Sequence, residues 1–93
     1  MTTKNALEAL AMDLKRVANA YHRGSNRMAE VFIKESLSYV PLINKTEVKP
    51  HIQDIVSGIP TVFKQVNKKQ LAELALMYGT LLQNYCVSQM KKD

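Results

Sequence analysis

The residue types that could do chemistry in this chain are few. His51 and Asp54 are three residues apart, so on a helix their side chains would lie close enough to share a proton or a metal ion. Zinc generally takes three or four protein ligands, and no second pair of ligand residues has a comparable spacing. We therefore expect His51 and Asp54 to be surface residues at the start of a helix, and we expect no bound metal and no cofactor.

His22, Ser25 and Asp13 are of the types that hydrolases use as base, nucleophile and orienting acid. Serine hydrolases place the nucleophile on a strained, preformed turn that glycines typically flank. A serine that caps a helix and a histidine that faces solvent explain these residues better. We expect no catalytic residues, and the protein is predicted not to be an enzyme.

The single cysteine, Cys86, cannot form an internal disulfide and is expected to be an inert packing residue. Residues 2–5 are polar where a secretory signal would need an apolar segment. The most apolar stretch, 71–82, is interrupted by Glu73 and Gly79, and it falls short of the ~20 apolar residues of a membrane span. These features predict a cytoplasmic protein that does not interact with a membrane.

Apolar residues recur every three or four positions in four segments, which is the pattern of amphipathic helices. Thr2 or Thr3 can cap the first helix, and Ser25 can cap the second. Gly24 and Pro41 end these two helices. Pro50 suits the first position of the third helix, and Asn67 with Gln70 resembles a capping box for the fourth. The predicted helices span about residues 3–22, 26–40, 50–66 and 68–89.

The third helix has the most regular stripe, although many of its residues are β-branched. A strand is excluded because its period of two would place Ile52 and Ile55 on opposite faces, and because Pro60 would remove a ladder hydrogen bond. Gly58 and Pro60 predict either a kink or a break into two short helices. We favour the kink, since the apolar stripe keeps its phase across the proline.

A chain of 93 residues with ordinary globular composition has room for one core, so we predict a single helical domain over residues 1–93. The fold class is all-α, a four-helix up-down bundle with a Pro-kinked third helix. The apolar sector of the fourth helix covers more than half of its circumference, so this helix is either the central one or half of a subunit interface. We expect a homodimer whose interface consists of Ala72, Leu76, Gly79, Cys86, Val87 and Met90.

The formal net charge of +5 admits an anionic partner. If the helices alternate in direction, one end of the bundle collects most of the cations, and we call this end the basic pole. Lys68 and Lys69 would occupy the first turn of a helix, where the helix dipole disfavours cations. The basic pole is therefore a hypothetical site for phosphate or for an acidic protein surface, formed by Arg16, His22, Arg23, Arg27, Lys64, Lys68 and Lys69.

The function predicted first is a non-enzymatic protein–protein interaction or regulatory module that acts through a helix face or the basic pole. The alternative is a small basic helical protein associated with nucleic acid. Against it, the second helix has a wide apolar sector and few polar residues near its start with which to read bases. A further alternative is an enzyme whose site is assembled between subunits from residues such as His51 and Asp54.

Overall fold

The computed structural model describes residues 1–90, and within them the chain forms helices and no strand. The predicted bounds agree with the observed ones to within one residue. The last three residues of the predicted domain lie outside the described part. Two short 3-10 turns, Val40–Leu42 and Lys45–Glu47, connect the second and third helices. The four α-helices are α1 (Thr3–His22), α2 (Asn26–Tyr39), α3 (Pro50–Gln65) and α4 (Lys68–Gln89).

The turn between α1 and α2 needs a glycine. Gly24 has φ +77°, a left-handed conformation that L side chains rarely adopt. Its N–H donates to the carbonyl of Tyr21 (3.0 Å), and the N–H of Ser25 donates to the carbonyl of Ala20 (2.8 Å), which is the Schellman arrangement. The Ser25 hydroxyl then accepts from the N–H of Met28 and caps α2. The chain therefore reverses direction within three residues.

The start of α4 has the predicted capping box. The Asn67 side chain accepts from the N–H of Gln70 (2.8 Å), and the Gln70 side chain accepts from the N–H of Asn67 (3.2 Å). Pro50 opens α3, as expected for a residue without an N–H to donate. The helix continues through Pro60 to Gln65, so the alternative of two short helices is wrong. The kink at Pro60 stays a prediction.

Helices α1 and α4 run in opposite directions, and so do α3 and α4. Tyr21, near the end of α1, lines a surface cavity with Ala72 of early α4, whereas Glu8 of early α1 lines another with Val87 of late α4. The phenol oxygen of Tyr85, late in α4, accepts from the N–H of Lys49 just before α3 (3.1 Å). The two tight turns, between α1 and α2 and between α3 and α4, thus join antiparallel helices around one apolar core.

The most deeply buried helix is α1. Its side chains Leu7, Leu10, Leu14 and Val17 have no exposed surface. The sequence pattern allowed α4 to be the central helix of the bundle. In the structure the central helix is α1, which packs between α2 and α4. Small residues allow the close approach of α1 and α4, because a Cβ on Gly79 would lie only 3.0 Å from a carbonyl oxygen of α1.

This packing corrects the predicted interface on α4. Ala72, Gly79 and Cys86 are buried within their own chain, so they cannot form an outer surface. Leu76 and Val87 are exposed, by 45% and 68% respectively, and Met90 is half-buried. A helical wheel does not distinguish a neighbouring helix of the same chain from a partner, which is why the six residues were grouped together.

The dimensions agree with one packed unit. The radius of gyration is 12.6 Å, against about 12 Å for a compact chain of this length. Within residues 1–90, no helix combines the length and apolar character that crossing a bilayer would require.

Candidate functional site: the basic pole

The basic pole is formed by two helix ends and two helix starts. The end of α1 and the start of α2 meet there because of the tight turn at Gly24, and the end of α3 and the start of α4 meet there because only Val66 and Asn67 separate them. All seven predicted cationic residues are exposed. The alternating direction of the helices therefore places them at one end of the molecule.

Two shallow cavities at this pole share His22. The first, of about 350 Å³, lies between α1 and α4, and Lys68 and Lys69 line it together with Glu73. The second, of about 380 Å³, lies between α1 and α2. Five residues line this second cavity: Arg16, Asn19, His22, Arg23 and Phe32. The structure thus brings five of the seven predicted residues to the two cavities, while Arg27 and Lys64 line neither.

The electrostatics of the pole favour an anion. Neither α2 nor α4 has an acidic residue in its first turn, where a carboxylate would complement the helix dipole. Instead these first turns carry Arg27, Lys68 and Lys69. The one ion pair among residues 1–90 joins Arg16 to Asp13, so no described carboxylate neutralises these three cations within ion-pair distance.

Tyr21 adds a neutral donor to the first cavity. Burial raises the pKa of its phenol, and the nearby carboxylate of Glu30 raises it further. The phenol therefore keeps its proton well above neutral pH. A neutral O–H beside the two lysines can donate a hydrogen bond to an anionic ligand.

Arg16 differs from the other cations of the pole because it is held in place. Its Nη1 lies 3.0 Å from Oδ1 of Asp13, and its guanidinium lies over the ring of Phe32, 5.8 Å from the centroid. Asp13 itself is only 1% exposed. This role was not predicted, although the sequence holds a signal for the burial of Asp13. The residue is seven positions from both Ala6 and Ala20, which are fully buried, so all three share a face.

The other candidate groups have structural partners in the described part of the chain. Ser25 is used as a helix cap, and Asp13 pairs with Arg16, so neither is hydrogen-bonded to His22. His51 packs edge-on against the ring of Tyr85 (centroids 6.1 Å apart). Within the described part of the chain, no three or more His, Cys, Asp or Glu residues cluster as metal ligands would.

Cys86 is a buried free thiol. Burial raises its pKa to about 11, and the charge of Glu8 contributes in the same direction. At neutral pH the thiol is therefore almost entirely protonated, whereas a nucleophilic cysteine needs a thiolate.

Comparison of the chain with protein-family models, with curated proteins and with solved structures finds no match. The assignment of function therefore depends on the geometry and charge of the basic pole.

Proposed function

We propose that the protein is a non-enzymatic interaction module that binds an acidic protein surface through the basic pole. The observation that carries the proposal is the pair of helix starts that present cations and no carboxylate at one end of the molecule. A carboxylate of a partner that reaches these helix starts gains both the dipole and the cationic side chains. Because the cations are exposed, forming such contacts requires no rearrangement of the helices.

The shape of the pole favours a protein partner over a nucleic acid. Two separate shallow cavities of about 350 and 380 Å³ flank His22, and Phe32 and Tyr21 contribute apolar surface to them. Side chains from a folded acidic surface can enter such depressions. A nucleic-acid backbone, by contrast, is bound best by a continuous cationic stripe, whereas the cations of the pole are divided between two cavities.

Charge reversal at the pole tests this proposal. We expect the fourfold variant R23E/R27E/K68E/K69E to lose binding to fluorescent poly-glutamate, measured by anisotropy at about 50 mM salt. The matched control reverses Lys4, Lys34, Lys45 and Lys49, which changes the net charge by the same amount away from the pole. The control is expected to retain binding.

Two results would contradict the proposal. Equal loss in both fourfold variants would show that net charge, and not the pole, attracts the polyanion. Tighter binding of an oligonucleotide, with an affinity that falls steeply between about 50 and 200 mM salt, would favour the nucleic-acid alternative.

The proposal includes self-association in the cytoplasm. Support for a homodimer comes from Leu76 and Val87, which remain exposed on α4. Val87 lines a surface cavity with Met12 of α1, which is itself 51% exposed. Support for a cytoplasmic location comes from Cys86, which is buried as a free thiol. We expect light scattering to give twice the chain mass of 10.5 kDa, and L76E/V87E to give the monomer mass. A wild-type protein that stays monomeric at high concentration would exclude the dimer.

A further inference from the structure

Asp13 is the one buried carboxyl among residues 1–90, and one of its two oxygens has no partner. Its Oδ1 accepts from Nη1 of Arg16 (3.0 Å), but among residues 1–90 nothing donates to its Oδ2, although the residue is 1% exposed. Leaving a buried carboxylate oxygen without a donor is strongly unfavourable. Oδ2 of Asp13 therefore needs either a hydrogen-bond donor from a neighbouring group or a bound proton that makes the carboxyl neutral.

The register of α1 against α2 identifies the missing neighbour. Arg16 of α1 lies over Phe32 of α2, and the two helices are antiparallel. Asp13 precedes Arg16 by three residues and Glu35 follows Phe32 by three residues, so Asp13 and Glu35 lie at the same level along the two helices. Among the described residues, the charged groups that act on Asp13 are Arg16 from its own helix and Glu35 from α2, and none belongs to α4 or to the 3-10 turns. A second carboxyl, that of the solvent-exposed Glu35, therefore lies near Asp13.

Two neighbouring carboxyl groups hold a first proton more tightly than an isolated carboxyl does, because both cannot ionise without strong repulsion. When one of them is protonated, its O–H donates to the other, which satisfies the orphaned oxygen. We propose that Asp13 and Glu35 hold one proton between them across the contact of α1 with α2, and that loss of this proton loosens α2 from α1.

Helix α2 is the element on which such a proton can act. Only Ala29 and Ser36 of its residues are fully buried, and the Ser36 hydroxyl donates to Phe32 of the same helix, so it does not tie α2 to α1. The other apolar side chains of α2 are half-buried or exposed. Elements with few buried contacts open most readily.

The sign of the pH dependence follows from the environment of Asp13. Burial raises the pKa of its carboxyl above the ordinary value of 3.8, the hydrogen bond with Arg16 lowers it, and the charge and hydrogen bond of Glu35 raise it. The state in which α2 is packed on α1 (the docked state) thus binds the proton more tightly than the state in which α2 has separated from α1 (the undocked state). Its extra stability is fully present below pH 3.8 and is lost as the pH rises through the raised pKa of the docked state.

Hydrogen exchange tests the proposal directly. After correction for intrinsic exchange rates, the opening equilibrium of α2 amides is expected to rise about tenfold per pH unit between the ordinary and the raised pKa of Asp13, and then to level off. Amides of α4 serve as the internal control and should change much less. Opening of α2 that is independent of pH across the acidic range would overturn the proposal.

The variant D13N supplies a second, independent readout. An asparagine oxygen can still accept from Arg16, and its amide can donate to Glu35 at any pH. We expect D13N to melt on the order of 5 °C higher than the wild type at pH 8, and to match it near pH 4. The control E30Q removes an exposed carboxylate of α2 and should have no such effect. A D13N protein that is less stable than the wild type at pH 8 would show that Asp13 acts as an ionised partner of Arg16, which would refute the shared proton.

Discussion

Replacing Gly79 with valine is expected to lower the free energy of unfolding by about 3 kcal/mol. A Cβ at this position would lie 3.0 Å from the carbonyl oxygen of Ala11, 3.0 Å from Cγ of Lys15 and 3.3 Å from Cβ of Leu14. The backbone oxygen belongs to the central helix and cannot move without displacing α1. Urea denaturation followed by circular dichroism measures the change.

Gly58 provides the matched control for Gly79. It also lies inside a helix, but a Cβ built on it meets nothing within 4 Å. Alanine at position 58 should therefore stabilise the chain by roughly 0.5–1 kcal/mol, since glycine is the poorer helix former. If G79V were as stable as G58A, the close approach of α1 and α4 would be wrong.

Replacing Leu14 with alanine is expected to destabilise the fold by roughly 2–5 kcal/mol, through loss of buried apolar surface and formation of a cavity. Leu14 has no exposed surface and lies at the centre of α1. Met12, two residues earlier on the same helix, is 51% exposed, so M12A should cost less than about 0.5 kcal/mol. Thermal denaturation of both variants tests the assignment. Similar losses in L14A and M12A would contradict the burial pattern of α1.

The helices were predictable because local rules determine where they begin and end. Gly24 adopts the left-handed conformation that ends α1, and the reciprocal hydrogen bonds of Asn67 and Gln70 form as their spacing predicts. The central position of α1 was less predictable. It depends on the close approach that Gly79 allows, and that approach is a contact between segments far apart in the chain. Periodicity within one helix contains no information about such a partner.

The candidate site was predictable to a similar extent. Charge and alternating helix direction were enough to group Lys68, Lys69 and His22, which line one cavity. The pairing of Arg16 with Asp13 was missed, because a single acid on an apolar face looks like any polar residue at the edge of a stripe. Only the three-dimensional position of α2 brings a second carboxyl, that of Glu35, near this acid.

The burial of α1 between α2 and α4 has a consequence for synthesis on the ribosome. The first helix emerges before α4, but α4, one of the two helices that cover it, is encoded in residues 68–89. Until that segment has left the exit tunnel, the leucine face of the nascent chain lacks its main cover and remains open to chaperones. Synonymous changes that slow translation just before the codon for Lys68 should therefore lengthen the period during which the nascent chain is prone to aggregate.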